Sequence, residues 1–287
     1  MIYILLSILC SVTVGILFKL ARRYKIDIPQ AIAWNYLFAI GLCLVFFDIK
    51  VRELEIPSSP IYIYLGILLP GIFLILSRSI KEIGIAKTDI AQRLSLLIPI
   101  VASYYLFAEQ FTITKVIALV FGLAAIVMIL FKPSKVASRG SVIYPVLVFV
   151  GYGIVDVLFK KVALMPTISY PTSLLIVFLL AFSLSFITIV YLAVVKKQKF
   201  QMINFVCGAI LGLINFSNIY FYLKAHKALS KTPSIVFASM NLGVIVLGTI
   251  VGVYIFREKL SRLNIIGVIL ALLSIVILTV SSFYGIR

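Results

Sequence analysis

Long apolar stretches alternate with short polar ones along the whole chain. Ten apolar stretches lie at residues 2–21, 30–47, 61–80, 86–107, 112–131, 142–161, 171–194, 203–224, 233–256 and 263–283. A helix of about 20 apolar residues crosses the hydrocarbon core of a bilayer, whereas a membrane β-strand is about half as long and alternates in polarity. The pattern therefore predicts an all-α integral membrane protein with ten transmembrane helices.

The amino-acid composition indicates that the solvent of this chain is lipid. Hydrophobic residues make up 63% of the 287 residues, charged residues make up 12%, and the mean hydropathy is +1.21. Soluble domains contain roughly 45–50% apolar and about 25% charged residues. A soluble core does not hide so much apolar surface, so we predict a multi-pass protein of the cell membrane, in bacteria the cytoplasmic membrane.

The formal net charge of +17 does not change this interpretation. The Lys and Arg residues lie in short loops and at the ends of apolar stretches, where basic residues anchor membrane helices. We therefore expect no nucleic-acid partner. The cysteines fall inside apolar stretches without CxxC spacing, which argues against disulfides and zinc, and neither a metal nor another cofactor is predicted. They are Cys10, Cys43 and Cys207.

An internal repeat relates the two halves of the chain. A shift of 149 residues places the fifth apolar stretch on the tenth and aligns Glu109 with Glu258, Thr112 with Ser261, Ala118 with Gly267, Gly122 with Ala271 and Ala125 with Ser274. The small residues share one helical face, and such faces let membrane helices pack closely. The opening VGILFKLAR (14–22) likewise resembles VDVLFKKVA (155–163).

The repeat predicts two units of five helices, at residues 1–131 and 142–287, joined by a linker at 132–141. Because five is an odd number, the second unit enters the membrane from the opposite side. Inverted repeats of this kind are a recurrent construction of secondary transporters, whose substrate site lies near the midplane between the halves.

Two segments resemble a known family. They are FREKLSRLNIIGVILALLSIVIL (256–278) and its first-half partner LLIPIVASYYLFAEQ (96–110). In both halves the repeat closes with a Glu, a short polar turn and a Gly/Ala-rich helix. The two segments are similar to the drug/metabolite transporter superfamily, specifically to the ten-helix EamA-type permeases. The resemblance implies alternating access, export of amino acids or related small polar metabolites, and no enzymatic activity. The chain departs from the family pattern at Gly248, where a proline is expected, and at Asn35, where the second helix often carries Arg.

Two ionisable residues inside apolar stretches are candidate site residues, since such groups are costly in a membrane. Asp156 either pairs with Lys160 one helical turn away or faces a cavity and binds a cation, a substrate amine or a coupling proton. Arg93 lies roughly 10 Å deep at 1.5 Å per residue. It either extends to the interface or binds an anionic group such as a carboxylate.

Polar and aromatic residues on helical faces extend the candidate substrate site. They are Asn215, Asn218 and Tyr222 in the eighth stretch, Asn241 in the ninth, and Trp34 and Asn35 in the second. The eighth and ninth stretches also carry GxxxG spacings, so their asparagines are alternatively explained as interhelical hydrogen-bonding groups. Trp34 is alternatively an interfacial anchor.

The remaining ionisable residues receive structural interpretations. His226, the only histidine, lies in the basic segment KAHKALSK and is predicted to be a loop residue. Glu109 and Glu258 lie at the ends of apolar stretches beside predicted N-caps, where contacts to helix dipoles are expected. No motif of membrane catalysis is present, so no catalytic residue is predicted.

The sequence thus predicts a secondary transporter for a small polar metabolite, with the proton as a candidate coupling ion. Its other expected partner is the bilayer, and it is expected to be a monomer or a homodimer. Two alternatives stay open. One is a carrier of lipid-linked sugars or cationic drugs with the same fold, and the other is a non-transporting membrane enzyme or assembly partner.

Overall fold

The computed structural model describes residues 1–21, 26–47, 49, 59–83, 85–130, 143–165, 168–255 and 261–284. These residues form eleven α-helices and no strand. The helices are α1 (Ile2–Ala21), α2 (Ile28–Phe47), α3 (Ile61–Ile83), α4 (Ile85–Leu94), α5 (Leu97–Tyr105), α6 (Ile113–Leu130), α7 (Ile143–Ala163), α8 (Tyr170–Val195), α9 (Met202–Ala228), α10 (Pro233–Tyr254) and α11 (Arg262–Tyr284).

The all-α membrane architecture is confirmed, and nine of the ten apolar stretches correspond to one helix each. Within the described ranges, α2, α3, α8, α9, α10 and α11 are long and apolar enough to cross a membrane, and α1 and α6 contain shorter apolar helical stretches. Large apolar side chains such as Val45, Ile113 and Tyr254 are more than three-quarters exposed. Exposed apolar surface of this extent fits contact with lipid.

The fourth predicted helix is corrected to two short ones, because α4 and α5 are separated at Ser95 and Leu96. Pro99 supplies a physical reason. It has no N–H to donate to the carbonyl of Ser95, four residues earlier. That carbonyl accepts instead from the N–H of Ile98 over 3.0 Å, and the Ser95 hydroxyl donates to the carbonyl of Gln92 over 2.6 Å. The helix therefore tightens locally rather than continuing.

Small residues bring the predicted partner helices α6 and α11 together. Ser274 Oγ donates to the carbonyl of Ala118 over 2.5 Å. The amide of Asn264 donates to the carbonyls of Met128 and Ile129 over 3.0 and 2.7 Å. The small residues aligned by the repeat are all buried, namely Ala118, Gly122, Ala125, Gly267, Ala271 and Ser274. The predicted small-residue faces are therefore packing faces. Glu258 lies outside the described residues.

Close backbone contact also joins α2 to α9. A Cβ atom on Gly212 would lie 2.6 Å from the carbonyl oxygen of Asn35, and one on Gly208 would lie 2.3 Å from Cβ of Trp34. Only glycine leaves room for this approach, which is how small residues act at membrane helix interfaces. In addition, α1 packs on α9 and α10, α3 packs on α7 and α8, and α2 contacts α8.

Candidate functional site

Asp156 on α7 interacts with side chains of two other helices. The phenolic hydroxyl of Tyr222 on α9 donates to Oδ1 of Asp156 over 2.8 Å. Arg93, in the last turn of α4, lies within electrostatic range of the Asp156 carboxylate. Asp156 and Arg93 are both half-buried. The fold thus brings together three residues that the sequence proposed independently, at positions 93, 156 and 222.

The alternative in which Asp156 pairs with Lys160 is not what the structure shows. Lys160 is fully buried, and its Nζ donates to the carbonyls of His226 and Ser230 over 3.2 and 3.1 Å. In the described part of the chain no ion pair joins Asp156 to Lys160. The ammonium group instead lies at the carboxyl end of α9, where a cation complements the helix dipole.

The prediction that His226 is a loop residue is wrong. Because α9 continues to Ala228, His226 lies in its last turn and is fully buried. Its ring centroid is 4.6 Å from that of Tyr222 and 4.6 Å from that of Phe237 on α10. Neither ring nitrogen has a hydrogen-bond partner among the described atoms. The histidine therefore borders the Asp156–Tyr222 pair from within the core.

The structural interpretation of Glu109 is confirmed. Its carboxylate accepts from the backbone N–H and the hydroxyl of Ser234 over 2.9 and 2.6 Å, at the amino end of α10. It also forms an ion pair with Lys115, with 3.1 Å between Nζ and Oε1. A carboxylate at this end of a helix is stabilised by the dipole and by the unpaired N–H groups.

The asparagines mainly connect helices. The amide of Asn215 donates to Oδ1 of Asn35 over 3.3 Å, linking α9 to α2. Oδ1 of Asn218 accepts from the hydroxyl of Ser7 over 2.6 Å, linking α9 to α1. Asn241 donates to the carbonyl of Phe237 in its own helix over 3.1 Å. The contacts of Asn35, Asn215 and Asn218 are those of interhelical hydrogen-bonding groups, whereas that of Asn241 stays within α10. A substrate role for all four asparagines stays a prediction.

Trp34 packs against α9 rather than standing alone. Its ring meets that of Phe205 edge to face, with 5.1 Å between centroids, and the residue is half-buried. The contact gives Trp34 a packing role between α2 and α9. Its contribution to a substrate site stays a prediction.

Sequence reasoning noted Tyr36 only as a neighbour of Trp34 and Asn35, and it missed Tyr152 and the burial of Lys160. The Tyr36 hydroxyl is buried without a partner among the described atoms, and Tyr36 lies within electrostatic range of Tyr152. Tyr152 precedes Asp156 by four residues and so lies on the same face of α7. That spacing, and the position of Tyr36 next to Asn35, were the available signals.

Comparisons with known proteins agree with this architecture. Residues 1–131 match the EamA-like transporter family. An uncharacterized protein of Haemophilus influenzae is 40% identical over 282 residues, which cover 95% of each chain. A solved crystal structure superimposes with a TM-score of 0.77 at 15% identity, covering 100% of this chain and 98% of that one.

The long apolar helices and the family match define a multi-pass helical membrane protein. The match of residues 1–131 to the EamA-like transporter family places the protein in the drug/metabolite transporter superfamily. It is therefore a transporter of the lipid bilayer, with a small molecule as its substrate. The members of its family are transporters rather than enzymes.

Proposed function

We propose that the protein carries a small polar metabolite, an amino acid or a related compound, by alternating access and in the direction of export. The observation that carries this proposal is the hydrogen bond of 2.8 Å from Tyr222 on α9 to the Asp156 carboxylate on α7, which lies within electrostatic range of Arg93 at the end of α4. A carboxylate and a guanidinium thus interact electrostatically inside an apolar protein. Intramembrane ionisable residues commonly mark substrate and ion pathways.

The chemistry of the three side chains suits a zwitterion. A guanidinium binds a carboxylate through paired N–H donors, and the Asp156 carboxylate accepts from an amine or takes a coupling proton. Tyr222 holds that carboxylate in one orientation. From helix rise alone, Arg93 and Asp156 differ in depth by roughly 9 Å. Their electrostatic interaction in the folded chain supports a shared role despite that difference.

The helix packing supports two inverted five-helix halves. When each helix of residues 1–131 is exchanged with its counterpart in 142–287, the contact of α1 with α9 becomes that of α7 with α3. The contact of α2 with α9 likewise becomes that of α8 with α3. The pairs α2 with α8 and α6 with α11 map onto themselves. Rocking of one half against the other would expose a midplane site alternately to each side.

The direct test is transport by the purified protein in liposomes. Radiolabelled amino acids, and separately a sugar and a cationic drug, are offered to wild type, Arg93→Gln, Asp156→Asn and the double variant. We expect amino-acid counterflow to fall about tenfold or more in each single variant, since a lost charged contact costs about 1.5–3 kcal/mol. Counterflow in the double variant is expected to be no lower than in the less active single variant, because the effects of substituting two interacting residues are not additive.

Arg78→Gln and Glu82→Gln supply the matched controls. These residues form an exposed i,i+4 ion pair in α3, with 3.5 Å between Nε and Oε1, so their replacement removes the same charges away from the site. Unchanged counterflow in both Arg93→Gln and Asp156→Asn would refute the assignment. For the coupling proton, uptake driven by a pH gradient is expected to disappear in Asp156→Asn, while the residual exchange without a gradient, about tenfold slower than in the wild type, remains measurable.

A further inference from the structure

A small, open cavity lies at one end of the helix bundle. It has a volume of about 230 Å³ and is lined by Tyr3, Tyr170, Lys224, Lys227 and Ala228. The helices α1 and α8 begin at this cavity and α9 ends there. We refer to these five residues as the tyrosine–lysine pocket. None of them belongs to the group formed by Arg93, Asp156 and Tyr222.

The two ammonium groups of the pocket are held against aromatic rings. Nζ of Lys224 lies 5.4 Å from the ring centroid of Tyr3 and 4.7 Å from that of Tyr220. Nζ of Lys227 lies 5.6 Å from the ring centroid of Tyr170. Cation–π contacts place the charges but do not neutralise them. Neither lysine has a carboxylate within ion-pair distance in the part of the chain that the structure describes.

Phenolic hydroxyls lie beside the two lysines. The Tyr170 hydroxyl meets the Tyr220 hydroxyl at 3.5 Å, so the phenols form a polar rim beside the lysines. The helix α8 begins at Tyr170 and carries the positive end of its dipole there. No acidic side chain lines the pocket among the described residues. The electrostatics are therefore those of an anion site.

Taken singly, such lysines are explained by side chains that extend to the membrane interface, and such tyrosines by interfacial anchoring. These explanations do not account for two cations held on rings around one cavity without a counter-charge. We propose that the tyrosine–lysine pocket binds an oxyanion, a carboxylate or phosphate group, at the membrane surface. Ligand pockets usually measure about 300–1,000 Å³, so this smaller cavity takes one charged group rather than a whole metabolite. The source is either a free anion or the phosphodiester of an acidic phospholipid.

Thermal stabilisation by each ligand distinguishes a free anion from a lipid headgroup. The full-length protein is placed in phosphatidylcholine nanodiscs, and thermal unfolding is followed with increasing sodium phosphate or with sodium chloride at equal ionic strength. The same measurement is made without phosphate in nanodiscs containing increasing phosphatidylglycerol. A ligand that binds only the folded state raises the unfolding temperature, and the concentration dependence yields an apparent Kd.

The test variant is Lys224→Gln with Lys227→Gln. Its control is Lys196→Gln with Lys231→Gln, which removes two charges from residues exposed outside the pocket. We expect binding to weaken about tenfold or more in the pocket variant and to stay unchanged in the control, since a charged hydrogen bond is worth about this factor. A phosphate response with this dependence identifies a free anion, and a phosphatidylglycerol response identifies a lipid headgroup.

The proposal is overturned if neither probe stabilises the wild type, or if the pocket variant and the control respond alike. The second result would show that only the overall charge of the surface matters. Each variant is compared with its own unfolding temperature without ligand, so a change in basal stability does not imitate a change in binding. Because this test uses no transported substrate, its outcome is separate from that of the transport experiment.

Discussion

The hydroxyl of Tyr222 donates a hydrogen bond of 2.8 Å to Oδ1 of Asp156, 66 residues away along the chain. The bond connects α9 to α7 and fixes one oxygen of the carboxylate. A carboxylate inside a membrane protein is strongly stabilised by such a donor, because water is scarce there. The hydrogen bond therefore restrains the orientation of the Asp156 carboxylate.

Replacement of Tyr222 by Phe is expected to lower counterflow about tenfold, because the carboxylate loses a donor while the ring that packs on His226 remains. Initial rates in liposomes across substrate concentrations measure the effect. Tyr191→Phe is the control, since Tyr191 is an exposed tyrosine of α8. Wild-type rates in Tyr222→Phe would show that this hydrogen bond is not part of the transport site.

Replacement of Glu109 by Gln is expected to destabilise the protein by about 3–5 kcal/mol, since Lys115 would stay buried without its counter-charge. The loss also weakens the bonds to Ser234 at the start of α10. Unfolding in detergent with increasing denaturant measures the change. For comparison, Glu82→Gln breaks an exposed pair and should cost about 0.5 kcal/mol or less. Equal effects of the two substitutions would contradict a structural role for Glu109.

Replacement of Gly212 by Ala is expected to destabilise the contact between α2 and α9 by about 1–3 kcal/mol, the usual cost of overpacking. The new methyl group would lie 2.6 Å from the carbonyl oxygen of Asn35 and 2.8 Å from Cβ of Phe38. Gly248→Ala is the matched control on α10, because no atom lies within 4 Å of its added Cβ. Thermal unfolding compares them, and an equal or greater loss in Gly248→Ala would refute the packing argument.

Replacement of His226 by Phe is expected to leave stability unchanged or to raise it, because two buried nitrogens without described partners are removed while the aromatic contacts persist. His226→Ala should instead lose about 2 kcal/mol or more by leaving a cavity between Tyr222 and Phe237. Thermal unfolding of both variants tests this. A His226→Phe protein much less stable than the wild type would mean that the imidazole itself, and not only its aromatic surface, stabilises the fold.

Transport by His226→Phe adds a second measurement. If the imidazole serves only packing, counterflow stays near the wild-type rate. A large loss of transport in a stable His226→Phe protein would instead show that His226 belongs to the transport site together with Tyr222.

The spans and the packing faces were predictable from the sequence. A helix in lipid must form its backbone hydrogen bonds internally and present apolar side chains over about 20 residues. A local pattern of apolar residues therefore indicates its position. The small residues shared by α6 and α11 were visible in the same way. The break between α4 and α5 also had a local signal, since Pro99 removes a backbone donor.

The partners of polar side chains were decided by the tertiary structure. The spacing of Asp156 and Lys160 suits a local pair, yet Lys160 donates to carbonyls 66 and 70 residues away, and Asp156 accepts from Tyr222. His226 is buried because α9 extends past the apolar stretch and α10 packs against it. Sequence spacing limits which neighbours on one helix can meet. The choice among all available donors and acceptors depends on which helices lie side by side, because every buried polar group takes the partner that packing brings within reach.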